Sequence, residues 1–220
     1  MYKVIPAILA TNIADFKEKH ELLSSFSDEI QIDIADGEFV DNKTVTLEEI
    51  ENLKEDKIYE IHLMVSNPLE YLEECQRLKI KRAAFHSEIK SDVEEVINKI
   101  KKYNFEVVLA VNPETKITDI EMHIRNIDRI LLMSVEPGFG GQKLIRSVLG
   151  KAKKLREKYP DLIIEMDGGI NIGNIQDVFE SRVNVAIVGS GILKAGDPKR
   201  EWKKLLTVSK KLNIKNQISK

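Results

Sequence analysis

The regular alternation of short apolar runs with amphipathic stretches is the feature that most constrains the fold of this chain. Runs rich in β-forming residues and stretches with the apolar period of a helix follow one another from the N-terminus onward. The predicted strands are Lys3–Leu9, Glu29–Ile34, Ile58–Val65, Arg82–Phe85, Glu106–Val111, Arg129–Val135, Leu162–Met166 and Val185–Val188. The predicted helices are Ala14–Phe26, Thr46–Leu53, Pro68–Leu78, Val93–Tyr103, Ile117–Ile124, Leu144–Lys158, Asn174–Phe179 and Pro198–Leu212. A helix after every strand favours a (β/α)8 barrel of parallel strands, the TIM barrel, over a doubly wound open sheet.

Composition places limits on what this barrel could be. No linker, low-complexity segment or change of composition divides the chain, so one barrel domain over residues 1–220 is expected. Cys75 is the sole cysteine, which excludes an internal disulfide and a cysteine-based metal cluster. A formal net charge of −2 gives no reason to expect a nucleic acid partner. Without a long apolar span or a signal-peptide pattern, we expect a cytoplasmic protein and no membrane partner.

A glycine-rich run follows the sixth predicted strand. After Arg129–Val135 the chain reads Pro137-Gly138-Phe139-Gly140-Gly141 and then enters the helical pattern that begins at Leu144. Glycines between a strand and a helix let backbone N–H groups approach an anion closely, and the helix N-terminus adds a favourable dipole. The run indicates one wall of a phosphate site, although a helix-capping turn would explain the same glycine pair.

Polar and ionisable residues recur where the predicted strands end. The carboxyl ends of parallel barrel strands meet on one face, where the chemistry of such barrels is found. Asp167 stands out because it directly follows a buried run and precedes two glycines. A lone histidine between apolar neighbours, as His62 is, is more often a structural residue than a functional one. The polar and small residues at these ends include Ala7, Ala10, Gln31, Asp33, Ala35, Asp36, His62, Met64, His86, Glu88, Asn112, Ser134, Glu136, Asp167, Gly168, Gly169, Gly189 and Ser190.

Taken in order, the motifs at these strand ends resemble those of ribulose-phosphate 3-epimerases over nearly the whole chain. The most specific piece is Val135-Glu136-Pro137-Gly138-Phe139-Gly140-Gly141-Gln142, and the others lie at 31–40, 61–68, 85–88, 111–115, 166–170 and 188–191. The resemblance implies a barrel enzyme that interconverts D-ribulose 5-phosphate and D-xylulose 5-phosphate. It also implies a divalent metal and two aspartates that act as acid and base.

The resemblance assigns the chemistry to four residues. Asp33 and Asp167 end the second and seventh predicted strands, roughly across the barrel from each other, so they could exchange protons with opposite faces of a ketose. The implied metal ligands are Asp33, His62, Asp167 and the residue at position 31. That residue is Gln31 where the family has histidine. The metal could be Zn²⁺, Fe²⁺, Mn²⁺ or Mg²⁺. An amide oxygen at position 31 suits Mn²⁺ and Mg²⁺ better than Zn²⁺ and Fe²⁺.

The resemblance also assigns the remaining walls of the pocket. Met64, Met133 and His86 would contact the substrate. The phosphate would be held by the loops after strands six, seven and eight, mainly through backbone N–H groups. These loops contribute Gly140, Gly141, Gly168, Gly169, Gly189 and Ser190. Barrels of this kind commonly associate, so a homo-oligomer is expected.

Departures from the family leave other functions open. Besides Gln31, alanine occupies positions 7, 10 and 35, where the family has two serines and a methionine. A hexulose-6-phosphate 3-epimerase would account for altered contacts on this side of the pocket. A non-catalytic phosphosugar-binding barrel would account for the missing metal ligand, but it would not require Asp33, His62 and Asp167. A Schiff-base aldolase would need a lysine at a strand end, and a related decarboxylase would need Asp-x-Lys-x-x-Asp at the third strand. Neither pattern is present there.

Overall fold

A computed structural model describes residues 1–218, in which eight parallel strands close into a barrel. Each strand pairs with the next along the chain, and β8 pairs with β1 to close the sheet. The strands are β1 (Lys3–Ile8), β2 (Glu29–Ala35), β3 (Ile58–Met64), β4 (Arg82–His86), β5 (Glu106–Val111), β6 (Arg129–Met133), β7 (Ile163–Asp167) and β8 (Val185–Val188). The predicted barrel is confirmed, and every predicted strand is present with ends shifted by no more than about two residues.

Helices surround the barrel in the described part of the chain. The α-helices are α1 (Ile13–Ser24), α2 (Leu72–Arg77), α3 (Val93–Lys102), α4 (Ile117–Ile120), α5 (Ser147–Lys158), α6 (Ile175–Glu180), α7 (Ser190–Leu193) and α8 (Pro198–Ile218). Two 3₁₀ helices, Pro68–Tyr71 and Glu121–Asn126, adjoin α2 and α4. None of the helices within residues 1–218 combines the length and apolar character that a membrane crossing requires.

The predicted helix Thr46–Leu53 is wrong, because the chain between β2 and β3 forms turns without a helix. Leu47 and Ile50 of this segment are nevertheless buried, which explains the apolar period in the sequence. The Arg77 guanidinium donates hydrogen bonds to the carbonyl oxygens of Leu47, Ile50 and Glu51. A side chain from α2 therefore satisfies carbonyl groups that a helix would have used for its own ladder.

Strand alternation separates two apolar cores. One set of side chains, including Ile32 and Ile34 of β2, packs outward against the helices. A smaller set, including Val108, Leu131 and Ile187, fills the interior of the barrel. Because successive strand residues point to opposite faces, the residues between those outward-facing positions are directed to the barrel axis.

A layer of charged side chains occupies the end of the barrel where the strands begin. Arg82 contacts Glu60 at 2.8 Å, and Arg129 contacts Glu165 at 2.9 Å. Both glutamates are buried. Burial, together with the nearby charge of Glu165, raises the pKa of Glu60 well above its usual range. The two arginines therefore compensate charges that would otherwise be costly inside the barrel.

Arg129→Met should lower the free energy of unfolding by about 3–5 kcal/mol, because it leaves the Glu165 carboxylate buried without its partner. Urea unfolding at pH 7 measures this. The double variant Arg129→Met/Glu165→Leu should recover much of the loss, since it removes both charges together. Arg125→Met, at an exposed position, is the control and should change stability by less than about 0.5 kcal/mol. Equal stability of Arg129→Met and the unmodified protein would contradict this account of the charged layer.

Candidate active site

A cavity of about 350 Å³ opens at the end of the barrel where the strands terminate. Asp33 and Asp167, from β2 and β7, lie in its wall together with Met64 and Met133. The loops after β6, β7 and β8 supply the rest of one side. Their members include all six residues of the predicted phosphate site, Gly140, Gly141, Gly168, Gly169, Gly189 and Ser190. The structure therefore brings the predicted acid/base pair and the predicted phosphate loops to one cavity.

Strand register places the polar cluster at the base of this cavity. Asp33 of β2 is the direct neighbour of His62 on β3. Their side chains meet, with Nδ1 of His62 3.0 Å from Oδ1 of Asp33. Gln31 precedes Asp33 on the same face of β2, and its Nε2 donates to Asp33 Oδ1 at 3.0 Å and to Asp167 Oδ2 at 3.5 Å. One oxygen or nitrogen atom from each of Asp33, His62 and Asp167 lies within 4.8 Å of the other two.

The two carboxyl groups repel each other in this cluster. Burial and, after it, the negative charge of Asp33 raise the pKa of Asp167 to about 7, against the opposing effects of His62 and Gln31. A carboxyl group with such a pKa is partly protonated at neutral pH. The pair can therefore hold one proton and one negative charge, which is the state that an acid and a base acting together require.

The cluster also fits a divalent cation. Two carboxylates and one imidazole converge, and these are ligand types that Zn²⁺, Mn²⁺ and Mg²⁺ accept in proteins. Gln31 adds an amide whose Oε1 is buried without a hydrogen-bond partner. Exchanging the amide oxygen and nitrogen would turn that oxygen to the carboxylates and supply a fourth donor. The buried negative charge and the unpartnered oxygen would both be satisfied by a cation.

His86 lies outside the cavity wall, behind His62. Its side chain is fully buried, and its Nε2 is 2.9 Å from Nε2 of His62. Burial lowers the pKa of His86 to about 4, so the ring is neutral at pH 7. Glu88 stands on the far side of that ring, with Oε2 3.4 Å from His86 Nδ1. Burial opposes ionisation of Glu88, but hydrogen bonds from His86, Thr115 and the backbone of Asn112 outweigh it and lower its pKa to about 2.

Hydrogen bonds hold the loops around the predicted phosphate site. Ser134 Oγ donates to the carbonyl oxygens of Asp167 and Gly168, which ties the end of β6 to the loop after β7. Gln142 donates to the carbonyl oxygens of Glu136 and Phe139 and closes the β6 loop on itself. These bonds fix the loop conformation before any ligand arrives, so little ordering cost accompanies binding.

Gly169 is required by the way these loops meet. Its φ of +65° lies in the left-handed region, and a Cβ atom there would come within 2.3 Å of the backbone nitrogen of Leu144. Only glycine lets the β7 loop lie so close to the loop after β6.

Two lysines of the cavity wall were missed by sequence reasoning. Lys194 Nζ lies 2.9 Å from the position that a Cβ atom on Gly141 would occupy, so a cation adjoins the predicted phosphate loops. Its spacing from Ser190, one turn of α7 earlier, is a signal that could have found it. Lys19 on α1 is held by Asp15 and by the carbonyl oxygen of Leu9, and no local pattern marks it. Neither lysine is a strand residue.

The alanines at positions 7, 10 and 35 lie in three different surroundings. Ala7 lines the cavity, whereas Ala10 is buried in the outer core. Ala35 packs against Val40 and Met64. Of the three, Ala7 borders the cavity, where its Cβ lies 3.7 Å from the position that a Cβ atom on Gly189 would occupy.

Residues 3–193 match the sequence model of the Ribulose-phosphate 3 epimerase family. The chain is 33% identical over 208 residues to the ribulose-phosphate 3-epimerase of Bacillus subtilis, a match that covers 91% of this chain and 96% of that one. It is 31% identical over 202 residues to the ribulose-phosphate 3-epimerase of Schizosaccharomyces pombe, with 89% of each chain covered. The family match ends one residue before Lys194.

Among solved structures, 3-hexulose-6-phosphate synthase from Salmonella typhimurium superposes with a TM-score of 0.72 at 18% identity. The superposition covers 95% of this chain and 99% of that one. At such low identity the likeness concerns the barrel fold alone.

Gly169→Ala should weaken the binding of a phosphate monoester by at least about tenfold, because the added methyl group forces the loops after β6 and β7 apart. Titration calorimetry with a ketose phosphate measures the effect. Gly150→Ala is the matched control, since a Cβ atom there meets nothing within 4 Å, and its affinity should be unchanged. Unchanged affinity of Gly169→Ala would remove this loop from the phosphate site.

Proposed function

The chain belongs to the ribulose-phosphate 3 epimerase family and is a phosphoketose epimerase, and we propose that it interconverts D-ribulose 5-phosphate and D-xylulose 5-phosphate. The observation that carries this proposal is the pair of carboxyl groups that share one cavity with the glycine loops. Inversion at a carbon next to a ketone needs one group that removes a proton and another that returns one.

Asp33 and Asp167 supply these two groups. The ionised member of the pair removes the proton from C3 on one face of the substrate, and the electron pair of the broken C–H bond moves into the adjacent carbonyl group to give an ene-diolate. The protonated member then donates its proton to C3 from the opposite face. The reaction ends with the two protonation states exchanged, so the reverse reaction runs through the same pair. A pKa of Asp167 near 7 supports this division of roles at neutral pH.

The rest of the cavity positions the substrate. Backbone N–H groups of the loops that contain Gly141, Gly169 and Ser190 receive the phosphate, and the adjacent Lys194 ammonium adds a positive charge. Met64 and Met133 present apolar surface beside the carboxyl groups. That surface keeps water away from C3, so protons pass between carbon and carboxylate.

Asp33, His62 and Asp167 would hold a divalent cation, with Gln31 as a further oxygen donor. When bound, the cation stabilises the negative charge that develops on the substrate oxygens. A donor set dominated by oxygen suits Mn²⁺ and Mg²⁺, whereas imidazole at position 31 would favour Zn²⁺ or Fe²⁺.

Asp167→Asn and Asp33→Asn should each lower the exchange of the substrate's C3 hydrogen with solvent at least about 100-fold, because an amide cannot take up or release that proton. Incubation in D₂O followed by NMR of the sugar phosphate measures the exchange. Phosphate affinity should change little, and Asp161→Asn, at an exposed position, should behave as the unmodified protein. No exchange by unmodified protein supplied with Mn²⁺, on any pentulose or hexulose phosphate, would favour a non-catalytic binding protein.

Gln31→His should raise the affinity for Zn²⁺ by at least about tenfold, since an imidazole would replace the amide beside Asp33 and Asp167. Competition with a chromophoric chelator gives the dissociation constant. Gln76→His adds a histidine at an exposed position of α2 and should leave the cluster's affinity unchanged. Identical Zn²⁺ affinity of Gln31→His and the unmodified protein would show that position 31 does not reach the metal.

A further inference from the structure

We propose that Glu88 and His86 form a hydrogen-bond relay that sets the tautomer of His62, so that its Nδ1 lone pair faces Asp33 and Asp167. The relay would make Glu88 and His86 positioning residues for the metal ligand. This inference rests on the metal-binding role proposed above for His62.

The relay begins at the contact between the two imidazole rings. Nε2 of His62 and Nε2 of His86 are 2.9 Å apart, a hydrogen-bond distance. A hydrogen bond there needs a proton on one nitrogen and a lone pair on the other. Both rings are fully buried, and the ring of Phe39 covers His86 with centroids 4.8 Å apart. The proton between the rings is therefore controlled by what each ring contacts on its other side, which is Asp33 for His62 and Glu88 for His86.

Oxygen atoms of Glu88 and Asn112 face His86 on that other side. Oε2 of Glu88 lies 3.4 Å from Nδ1 of His86, and both atoms are buried and make no well-aligned hydrogen bond within residues 1–218. The Asn112 side chain also adjoins the ring, and its Oδ1 is likewise buried and unpartnered. Placing the ring proton on Nδ1 of His86 gives these oxygens a donor. A proton on Nε2 would leave all three atoms unsatisfied, which is costly in a buried site.

Other hydrogen bonds fix the orientation of the Glu88 carboxylate. Its Oε1 accepts hydrogen bonds from the backbone N–H of Asn112 at 2.8 Å and from the Thr115 hydroxyl. A backbone N–H can only donate, so the atom at the Oε1 position must be an acceptor. Oε2 is thereby left to His86.

The proton positions on His86 and His62 follow from the contact between His86 and Glu88. With Nδ1–H donated to Glu88, Nε2 of His86 is an acceptor, and Nε2 of His62 must donate to it. Nδ1 of His62, 3.0 Å from Oδ1 of Asp33, is then the nitrogen left to face the carboxyl cluster. Without a cation it shares a proton with Asp33, and with a cation bound its lone pair would be the ligand. Metal-binding histidines commonly donate their second ring nitrogen in this way, and loss of such a partner typically costs about 10- to 100-fold in metal affinity.

Glu88→Gln is the variant that reverses the relay. Because the Asn112 N–H requires an acceptor, the amide oxygen of the new glutamine takes the Oε1 position and its NH₂ group faces Nδ1 of His86. His86 must then accept at Nδ1 and carry its proton on Nε2. We expect nitrogen-15 spectra of histidine-labelled, metal-free protein to show His86 as the Nδ1–H tautomer in the unmodified protein and as the Nε2–H tautomer in Glu88→Gln. Mn²⁺ affinity should fall about 10- to 100-fold in the variant.

Two further variants make the test specific. Glu114→Gln removes the same charge at an exposed position of the loop after β5, which also holds Asn112 and Thr115, and should leave both the tautomer and Mn²⁺ affinity unchanged. His86→Phe removes the acceptor for His62 while keeping a buried ring, and it should also weaken Mn²⁺ binding about 10- to 100-fold. It keeps the relay testable if Glu88→Gln does not fold.

An Nε2–H tautomer of His86 in the unmodified protein would overturn the relay, as would Mn²⁺ affinities of Glu88→Gln and His86→Phe equal to that of the unmodified protein. Failure of the unmodified protein to bind Mn²⁺ would instead contradict the proposed metal site. The tautomer measurement is made without metal and distinguishes the two failures.

Discussion

The repulsion between Asp33 and Asp167 is the interaction on which the active end of this barrel depends. Closure of the parallel sheet brings carboxyl groups from β2 and β7 into one buried cluster, where both cannot be ionised without compensation. Gln31 donates to both carboxylates, and His62 contacts one of them. A shared proton or a bound cation meets the same electrostatic need.

The two ends of the barrel differ in how buried negative charge is compensated. Where the strands begin, Arg82 and Arg129 contact buried glutamates directly, which stabilises the fold but leaves no free acid or base. Where the strands end, none of the described arginines lines the cavity. Asp167 is therefore partly protonated at neutral pH, because its pKa is raised to about 7. Stability and chemistry are thus assigned to opposite ends of the same set of strands.

The residues proposed for phosphate binding and those proposed for proton transfer lie in different parts of the cavity. The glycine loops lie close to one another through contacts such as that between Gly169 and the backbone of Leu144, and Lys194 adds charge at their edge. Ala7 lines the cavity beside Gly189, and Ala35 packs against Val40 and Met64.

The sequence by itself determined the strands, the barrel and the residues at the strand ends, because a period of two and flanking turns are local properties that each segment carries alone. It predicted a helix at Thr46–Leu53 that does not form, because a distant arginine, Arg77, takes the carbonyl groups of that segment. Only the tertiary structure decided that His86 stands behind His62, that Glu88 lies beside His86, and that Lys194 adjoins the predicted phosphate loops. These contacts join residues from different strands and loops, and their distances are set by barrel closure, which no local pattern encodes.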